Sequence, residues 1–341
     1  MKPFHITLDL AAEPVIHPPQ SVPVHLKDLY RKELDGMLNL SFIALVDRPT
    51  DWVNSIVLSE TKNDKEVTKL RVCLDSHDLN KWAKREHRSK TVDEVVTEVN
   101  GAKFFTIVDT KMGYWHVPLD AESYLTTFST PFCRYCFKPL PFSLVVSQDV
   151  FQKQLDTAFE RLGITGIADD TFVYGSSEVE HDRNLTKLME RTQQKGVVFN
   201  KDKVQFKCKE FSFFGHTWTP EGIKPDNKKE SAILDKKPLE DVKSLQSFLA
   251  LVNYLMRYSE HLVTLSAPLR DLTKKDTAYS WGFEHDRAFT EIKKEVSSLD
   301  ILRYFKLNAE TVIETDTSLK GLGAVLLQDR QPAYYASKAL T

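Results

Sequence analysis

Two adjacent acidic residues lie inside a segment whose flanks are otherwise typical of buried strands. The segment GIADDTFVYG (166–175) places Asp169 and Asp170 between apolar, β-branched and aromatic residues. Neighbouring carboxylates repel each other, and a charge near a core costs free energy unless something compensates it. Asp-Asp pairs also arise by chance in a chain of ordinary composition. The pair therefore predicts a functional turn only if a further carboxylate approaches it from another strand.

Asp109 is the candidate for that further carboxylate. It ends the apolar run KFFTIVD (103–109), which predicts a fully buried strand. An aspartate at this position can also simply cap the turn that follows it. With Asp169 and Asp170 present, a site for two divalent ions is the better explanation, because such a site needs carboxylates from neighbouring strands. Mg²⁺ prefers carboxylate oxygens and leaves positions for substrate phosphates, and bound ions would neutralise the adjacent acids.

The order of the other elements predicts an α+β chain. Prolines recur in residues 1–23, which indicates an extended arm, and apolar residues recur at helical spacing from Leu26 to Leu40. The remaining predicted elements are the strands SIVLSE and KLRVCLD, a helix over 147–163, a hairpin at the acidic pair, a helix from about 178 to 195, a hairpin in KCKEFSFFGHTWTPEGIKP, the helices SLQSFLALVNYLMRYSEHL and AFTEIKKEVSSL, and the strands ETVIETD, LGAVLLQ and PAYYASKA. This order favours an α+β body with appendages.

Composition argues against several classes of protein. The chain is 41% hydrophobic and 28% charged, and it contains no uncharged apolar run of about 18 residues, so no membrane association is expected. The N-terminus MKPFHITLDL lacks the apolar core of a signal peptide, so we expect an intracellular, cytoplasmic protein that is not secreted. Cys133 and Cys136 have no second pair to complete a zinc site, which favours a strand with two buried thiols.

The net charge of −2 does not by itself favour binding to nucleic acid. Lys and Arg outnumber Asp and Glu between Lys201 and Lys275, however, whereas the rest of the chain is net acidic. A local basic surface can follow a phosphate backbone even on an acidic chain. A solvated helical surface explains the same charges equally well.

The chain resembles the reverse transcriptase of gypsy-type LTR retrotransposons over nearly its whole length after the proline-rich arm. The matching stretches, in the order of that family, are PTDWVNSIV (49–57), KLRVCLDSHDLN (69–80), FFTIVDTKMGYWHVPLD (104–120), TTFSTPFCRYCFKPLPF (126–142), DVFQKQLD (149–156), ADDTFVYG (168–175), FNKDKVQF (199–206), FFGHTWTPEGIKPD (213–226), SFLALVNYLMRY (247–258) and ETDTSLKGLGAVLLQ (314–328). The resemblance implies an RNA-directed DNA polymerase, a nucleotidyltransferase that uses two Mg²⁺ ions, a dNTP and a primer on an RNA or DNA template.

The resemblance also implies a right-hand polymerase fold with fingers, palm and thumb. Its expected parts are the arm (1–23), the reverse transcriptase fingers and palm (24–225), the thumb (226–275) and an incomplete RNase H-like domain (276–341). Asp316 in ETDTS matches the first catalytic acid of the family's RNase H. Because the chain stops before the other acids, we expect no RNase H activity from it. The rest of a Pol polyprotein is an expected partner, and a virus-like particle is a candidate location.

The resemblance assigns roles at the catalytic centre. Asp109, Asp169 and Asp170 would be the catalytic metal ligands. Arg71 would bind the nucleotide triphosphate through its forked guanidinium group. Lys62 or Lys65 on the adjacent turn would assist it, and the sequence does not choose between them.

Three further residues are expected to contact the incoming nucleotide. Tyr114 would crowd a ribose 2′-hydroxyl and so select deoxynucleotides. Phe142 and Ser143 lie in a segment expected beneath the nucleotide. The family has glycine at the position of Ser143 and arginine at the position of His77, and Ser76 replaces a proline. A non-catalytic, nucleic-acid-binding remnant therefore stays open as the alternative, together with a degenerate copy that does not fold stably.

A second set of residues is expected to contact the primer and template. Phe214, Gly215 and His216 lie in FFGH, which resembles the hairpin that grips the primer terminus. Tyr254 and Arg257, with Lys243, lie on the expected thumb helix and would contact backbone phosphates or sugars. A solvated or packed helix surface is the open alternative for these last residues.

Overall fold

The computed structural model describes residues 1–63, 66–85, 89–120, 123–237, 239–275, 277–317 and 321–339. The chain divides into two compact units, and each is described separately. The first unit contains Met1–Thr91, Ile107–Val173 and Asp182–Val204. The second unit contains Val92–Thr106, Tyr174–His181 and Gln205–Thr341.

Helices form where apolar residues recur at helical spacing. They are α1 (Lys27–Asn39), α2 (His77–Trp82), α3 (Val92–Glu98), α4 (Ser147–Phe159), α5 (Glu178–Lys195), α6 (Asn227–Leu234), α7 (Val242–Leu255), α8 (Leu262–Leu265), α9 (Ala267–Asp271) and α10 (Phe283–Val296). Short 3₁₀ turns occupy Val24–Leu26, Gly113–His116, Ser123–Thr126, Lys201–Lys203 and Met256–Tyr258. No helix in the described ranges has the length and apolar character that crossing a membrane requires.

The helix predicted over 147–163 ends earlier than expected, at Phe159. Glu160 adopts an extended ψ of 129°. Arg161 and Gly163 then have φ values of 61° and 68°. Successive departures from helical geometry, rather than Gly163 alone, turn the chain into the next strand.

Within the described residues, the strands form five sheets. They are β1 (Ile43–Leu45), β2 (Ser55–Asn63), β3 (Glu66–Asp75), β4 (Phe104–Asp109), β5 (Phe128–Ser129), β6 (Arg134–Phe137), β7 (Ile164–Ile167), β8 (Asp170–Gly175), β9 (Gln205–Cys208), β10 (Phe211–Phe213), β11 (His216–Trp218), β12 (Gly222–Pro225), β13 (Leu302–Arg303), β14 (Thr311–Thr317), β15 (Gly321–Gln328) and β16 (Gln331–Ala339). The strand orders are β1-β6-β5, β2-β3, β7-β8-β4-β9, β10-β11-β12-β13 and β14-β15-β16. The predicted mixture of helices and strands is therefore confirmed.

Among its described residues, the first unit contains two clusters of buried apolar side chains. In one cluster, Phe151 and Leu155 of α4 pack with Val108 and Val173 at the centre of the strands. Ile6 of the N-terminal arm joins this cluster and is buried. The second cluster places the apolar face of α1 against β2, β3, β5 and β6. Burial of these faces stabilises the strands whose ends carry the candidate site.

The described part of the second unit contains the β10–β13 sheet, the β14–β16 sheet and a group of helices. The hairpin predicted in residues 207–225 is three antiparallel strands, β10 to β12, and β13 pairs with β12. Trp218 on β11 is fully buried. Among the helices, Phe248 of α7 contacts Phe289 of α10, with ring centroids 4.9 Å apart. Asp241 caps the N-terminus of helix α7, and its side chain accepts a hydrogen bond from Ser244 N at 2.6 Å.

The expectation of two buried thiols is wrong for one of the two cysteines. Cys136 lies within β6 and is buried, whereas Cys133 is exposed. Cys133 precedes the strand in a turn, where its amide donates to Thr130 Oγ1 at 3.0 Å. The turn directs the Cys133 side chain to solvent, which the local sequence pattern did not indicate.

Candidate functional site

The ends of β4 and of the β7–β8 hairpin bring the three predicted aspartates together in the first unit. Ile167 pairs with Asp170, which leaves Ala168 and Asp169 as a two-residue turn. Ala168 has a φ of 56°, in the left-handed region. Asp109 ends β4, the neighbour of β8, and the following amide, of Thr110, donates to the Asp169 carbonyl at 3.0 Å. The predicted hairpin and strand are confirmed, and the carboxylates share one end of the sheet.

A buried glutamine holds the turn that carries the acidic pair. The Gln152 Nε2 donates to the Gly166 carbonyl at 3.1 Å, and its Oε1 accepts from the Ala168 amide at 2.8 Å. Gln152 is 1% exposed on the inner face of α4. Sequence reasoning did not single it out, and no apolar pattern marked it, because its neighbours on the same helical face include the acidic residues Asp149 and Asp156. Its two bonds satisfy backbone groups that no strand partner reaches.

The acidic cluster carries more negative charge than its surroundings compensate. Burial, followed by the charges of Asp109 and Asp170, raises the pKa of Asp169 to about 6. Burial and the charge of Asp109 also raise the pKa of Asp170. Asp169 Oδ1 is buried and has no hydrogen-bond partner among the described residues. The one ion pair shown at these carboxylates in the described chain joins Lys203 Nζ to Asp109 Oδ2 at 2.9 Å. A further cation would therefore stabilise the cluster.

The chemistry of the cluster fits Mg²⁺, although its arrangement is not that of a formed metal centre. Across the described ranges, no group of three or more His, Cys, Asp or Glu side chains is arranged to hold a metal ion. The available donors are nevertheless carboxylate oxygens, which are the ligands Mg²⁺ prefers. The unpartnered Oδ1 of Asp169 is such a donor. Asp109, Asp169 and Asp170 are thus the residues that would hold the ion.

Gly113 gives the Asp169 carboxylate its space. A Cβ at this position would lie 2.0 Å from Asp169 Oδ1 and 2.9 Å from Asp169 Cγ. Any side chain at position 113 would therefore push the Asp169 carboxylate out of its present position. Sequence reasoning did not predict a role for Gly113. The only available signal was its position in the sequence between the predicted site residues Asp109 and Tyr114.

Tyr114 lies beside the cluster in an aromatic group. Its ring centroid is 5.1 Å from that of Phe142 and 5.5 Å from that of Phe151. Burial and the charge of Asp169 raise the pKa of Tyr114 to about 12, so its hydroxyl is protonated at neutral pH. Phe142 is 47% exposed. The structure thus brings Tyr114 and Phe142 together next to Asp169.

Ser143 follows Phe142 and is held through its backbone. Its carbonyl accepts from Ser76 Oγ at 2.8 Å and from Asn80 Nδ2 at 3.0 Å. The Asn80 Oδ1 accepts from the Val145 amide at 2.8 Å. Ser76 therefore supports this segment by a contact that a proline would not make. The Ser143 hydroxyl, in contrast, is buried without a partner in the described part of the chain.

The other residues expected at the nucleotide are less completely described. Arg71 is exposed on β3, where it pairs with Ser59 across the β2–β3 hairpin. The backbone of Lys62 belongs to β2, and its side chain is outside the description. Lys65 lies outside the described residues altogether. His77 is exposed at the start of α2, with Nδ1 3.4 Å from Asp78 Oδ1.

The residues expected at the primer lie in the second unit. Phe214 and Gly215 form the turn between β10 and β11, and Phe214 is 42% exposed. His216 is 2% exposed and lies within hydrogen-bond distance of Tyr254. Tyr254 also donates to the Phe214 carbonyl.

The remaining predicted residues of the second unit have different environments. Arg257 is paired with Asp93, and Lys243 is exposed on α7. Asp316 is exposed on β14. Arg257 thus makes an intramolecular contact, as Tyr254 does.

Two sequence families match parts of the chain. Residues 59–218 match the family described as reverse transcriptase (RNA-dependent DNA polymerase). Residues 281–341 match the RNase H-like domain found in reverse transcriptase. The first match covers β4, the β7–β8 hairpin and all three aspartates.

The curated relatives are polyproteins of transposons and viruses. The retrovirus-related Pol polyprotein from transposon 412 of Drosophila melanogaster is 30% identical over 84% of this chain and 24% of its own length. The enzymatic polyprotein of Cauliflower mosaic virus (strain D/H) is 28% identical over 88% of this chain and 45% of its own length. The chain thus spans less than half the length of either relative.

Solved structures share the fold. The foamy viral protease-reverse transcriptase dRH, in complex with double-stranded DNA, matches with a TM-score of 0.85 and 20% identity, over 98% of this chain and 59% of that one. The foamy viral protease-reverse transcriptase in complex with an RNA/DNA hybrid matches with a TM-score of 0.84, over 99% of this chain and 46% of that one. The expected polymerase fold is confirmed. The chain therefore carries a reverse transcriptase domain at residues 59–218, followed by the RNase H-like domain found in reverse transcriptases at residues 281–341.

Proposed function

We propose that the chain is an RNA-directed DNA polymerase of an LTR retrotransposon of the gypsy type. It would transfer a nucleotide from a dNTP to the 3′-hydroxyl of a primer. The observation that carries the proposal is the convergence of Asp109 and the Asp169–Asp170 turn at one end of the sheet, with Asp169 Oδ1 buried and unpartnered within the described chain. The reverse transcriptase family match over these residues supports it.

The acidic residues would hold two Mg²⁺ ions. When bound, the ions would lower the pKa of the primer hydroxyl and neutralise charge on the leaving phosphates. The protein's own part is to fix the ligands in place. Gly113 leaves room for the Asp169 carboxylate, and Gln152 holds the turn on which that carboxylate lies.

The aromatic group beside the cluster would recognise the deoxyribose. The Tyr114 ring packs edge-to-face with Phe151, at an interplanar angle of 78°, and it also contacts the Phe142 ring. A ring packed in this way has little freedom to move aside for a 2′-hydroxyl. Arg71 is exposed and would bind the triphosphate as a bidentate donor. Lys62 and Lys65 stay alternatives for a supporting contact.

The template and primer would be bound through their backbones. Relatives of the same fold were solved with double-stranded DNA and with an RNA/DNA hybrid, which supports a duplex as the ligand. The fingers and palm (24–225) and the thumb (226–275) would divide this task. We place the activity in the cytoplasm, within a larger Pol polyprotein or a virus-like particle. The expected lack of RNase H activity stays a prediction, which a hybrid-cleavage assay checks.

Primer extension tests the proposal. The substrate is oligo(dT) on poly(rA) with dTTP and Mg²⁺, and the proteins are the wild type, Asp169→Asn, Ser143→Gly and the control Asp202→Asn. Asp202 is an exposed carboxylate on the 3₁₀ turn next to Lys203, so its substitution changes the same charge outside the cluster. We expect extension by the wild type and the control, and none by Asp169→Asn.

Two other results would lead to different conclusions. Duplex binding without extension by the wild type, with extension restored in Ser143→Gly, indicates an impaired polymerase that retains nucleic-acid binding. Absence of both binding and extension in the wild type contradicts the proposed function.

A further inference from the structure

The turn between β10 and β11 has a strained backbone. Phe213 pairs with His216, so Phe214 and Gly215 form a two-residue turn. Their φ values are 49° and 71°, both in the left-handed region. Hairpins of this kind favour asparagine or aspartate before glycine, and a bulky residue such as phenylalanine is disfavoured there. The intrinsic preference of Phe214 therefore does not explain the turn.

Tyr254 is packed against this turn. A Cβ at position 215 would lie 2.6 Å from Tyr254 Oη, so only glycine allows the tyrosine to approach. The Tyr254 hydroxyl donates to the carbonyl of Phe214. This bond fixes the peptide plane between the two left-handed residues, and it supplies the stabilisation that the local sequence does not.

His216 connects the partly buried Tyr254 to the buried Tyr258. Its Nε2 is 2.8 Å from Tyr254 Oη, and its Nδ1 is 2.6 Å from Tyr258 Oη. The imidazole stacks on the Tyr254 ring, with centroids 5.0 Å apart and an interplanar angle of 17°. Burial lowers the pKa of His216 to about 3, so the ring is neutral at physiological pH. Neither ring nitrogen is exposed to a ligand, because His216 is 2% exposed.

The direction of each hydrogen bond that links Tyr258, His216, Tyr254 and the Phe214 carbonyl follows from which of these groups can donate and which can accept. The Phe214 carbonyl can only accept, so the Tyr254 hydroxyl donates to it. The Tyr254 oxygen then accepts from His216, which places the imidazole proton on Nε2. A neutral imidazole has one N–H, so Nδ1 accepts from the hydroxyl of Tyr258. A single arrangement of protons thus satisfies all the groups.

We propose that His216 is a positioning residue for primer binding: it orients the Tyr254 hydroxyl, which holds the Phe214–Gly215 turn in its left-handed conformation. The inference rests on the proposed function for its ligand, a primer–template duplex. The contact with the primer is then made by the exposed ring of Phe214 and the backbone of the turn, and not by His216. The family resemblance placed all three residues of the hairpin at the primer, and the burial of His216 separates their roles.

A pair of tyrosine substitutions tests this positioning role. Tyr254→Phe removes the bond to the Phe214 carbonyl and the acceptor for His216. Tyr304→Phe is the matched control, because the hydroxyl of Tyr304, which is 6% exposed, donates at 3.0 Å to the carbonyl of Thr219 in the neighbouring turn between β11 and β12. Each variant loses one bond from a tyrosine hydroxyl to a backbone carbonyl, and Tyr254→Phe loses in addition the bond to His216. Tyr258→Phe is a milder third variant, because it leaves in place the bond between His216 and Tyr254 and the bond from Tyr254 to the Phe214 carbonyl.

The first measurements use hydrogen exchange and duplex affinity. We expect Tyr254→Phe to speed amide exchange in residues 212–217 and to raise the Kd for a primer–template duplex about tenfold by fluorescence anisotropy. Tyr304→Phe is expected to change that Kd less than about twofold at a similar loss of thermal stability, and Tyr258→Phe to fall between them. The KM for dTTP is expected to stay unchanged in all variants. Equal effects of Tyr254→Phe and Tyr304→Phe would overturn the proposal.

The protonated nitrogen of His216 provides a test that needs no nucleic acid. Nitrogen-15 spectra of labelled imidazole at pH 7 are expected to show a neutral ring with its proton on Nε2. A proton on Nδ1 would overturn the proposed directions of the hydrogen bonds between Tyr258, His216 and Tyr254. If the wild type does not bind the duplex, the proposed function fails. The exchange and tautomer results still decide whether His216 holds the turn.

Discussion

Neutralising Asp169 is expected to stabilise the metal-free protein at neutral pH, which is the reverse of the usual effect of substituting a buried residue. The pKa of Asp169 is raised from 3.8 to about 6, first by burial and then by the charges of Asp109 and Asp170. If the whole rise in pKa acts on the folded state alone, it lowers the free energy of unfolding by about 3 kcal/mol at a pH where Asp169 is ionised. Solvent reaches part of the carboxyl group, and screening reduces the effect to about 1–2 kcal/mol.

The sign follows from which form the folded protein favours. Because the folded pKa of Asp169 is raised, the folded state prefers the protonated carboxyl group. The contribution of the Asp169 carboxyl group to the free energy of unfolding is therefore fully present below about pH 4, and it is lost as the pH rises through about 6. Asp169→Asn is therefore expected to unfold at higher urea concentration than the wild type at pH 8 in EDTA. The difference is expected to vanish near pH 4, where Asp169 is already neutral.

Two further comparisons, the addition of Mg²⁺ and a control variant, make the stability test decisive. Mg²⁺ that binds only the folded protein stabilises it, so adding Mg²⁺ at pH 8 is expected to raise the unfolding free energy of the wild type but not of Asp169→Asn. Asp149→Asn is the control, because that carboxylate is 2% exposed and paired with Arg85 at 2.7 Å. Its neutralisation is expected to destabilise the protein. If Asp169→Asn also destabilised the metal-free protein at pH 8, the excess of negative charge inferred for the cluster would be refuted.

Four further substitutions test the supports of the site. Gly113→Ala is expected to lower the rate of primer extension at least about 100-fold with a native circular-dichroism spectrum, since its Cβ would lie 2.0 Å from Asp169 Oδ1. Gln152→Leu, which removes both bonds to the turn, is expected to lower the unfolding free energy by about 2–3 kcal/mol in urea. Ser143→Gly is expected to speed extension, because it removes a hydroxyl buried without a partner in the described chain; an unchanged or slower rate would contradict this. Lys203→Met is expected to tighten Mg²⁺ binding measured by calorimetry, because the Lys203 ammonium competes for Asp109 at 2.9 Å; weaker binding would contradict this.

The features that the sequence predicted best depend on local patterns. The apolar run ending at Asp109 and the strand-like flanks of Asp169 and Asp170 were sufficient to predict β4 and the β7–β8 hairpin. Strand character is carried by neighbouring residues, so a short segment contains most of the information. The order of the motifs then pointed to the polymerase fold.

The features that the sequence missed depend on contacts between distant segments. Gln152 and the Gly166 carbonyl are 14 positions apart, and Lys203 and Asp109 are 94 apart. No periodicity links such pairs, because packing of separate elements decides which side chains meet. Ser76 shows the same limit. It differs from the family's proline, yet its hydroxyl supports the Ser143 carbonyl at 2.8 Å.

The Tyr254 hydroxyl is a further case of this kind. Its position on the expected thumb helix left open a contact with the primer, exposure to solvent or packing within the protein, and the structure shows the last of these, because Tyr254 binds the Phe214 carbonyl and His216. The composition of helix α7 is compatible with all of these environments. Only the packing of α7 against the β10–β11 turn distinguishes them.

Anomalous diffraction from crystals soaked in Mn²⁺ tests the metal-binding role of the aspartates most directly. With a primer–template duplex and a non-hydrolysable dNTP present, we expect two anomalous peaks coordinated by Asp109 and Asp169, with Lys203 displaced from Asp109. Occupied duplex and nucleotide sites without Mn²⁺ at these carboxylates, and with Lys203 still bound to Asp109, would contradict the proposed catalytic centre.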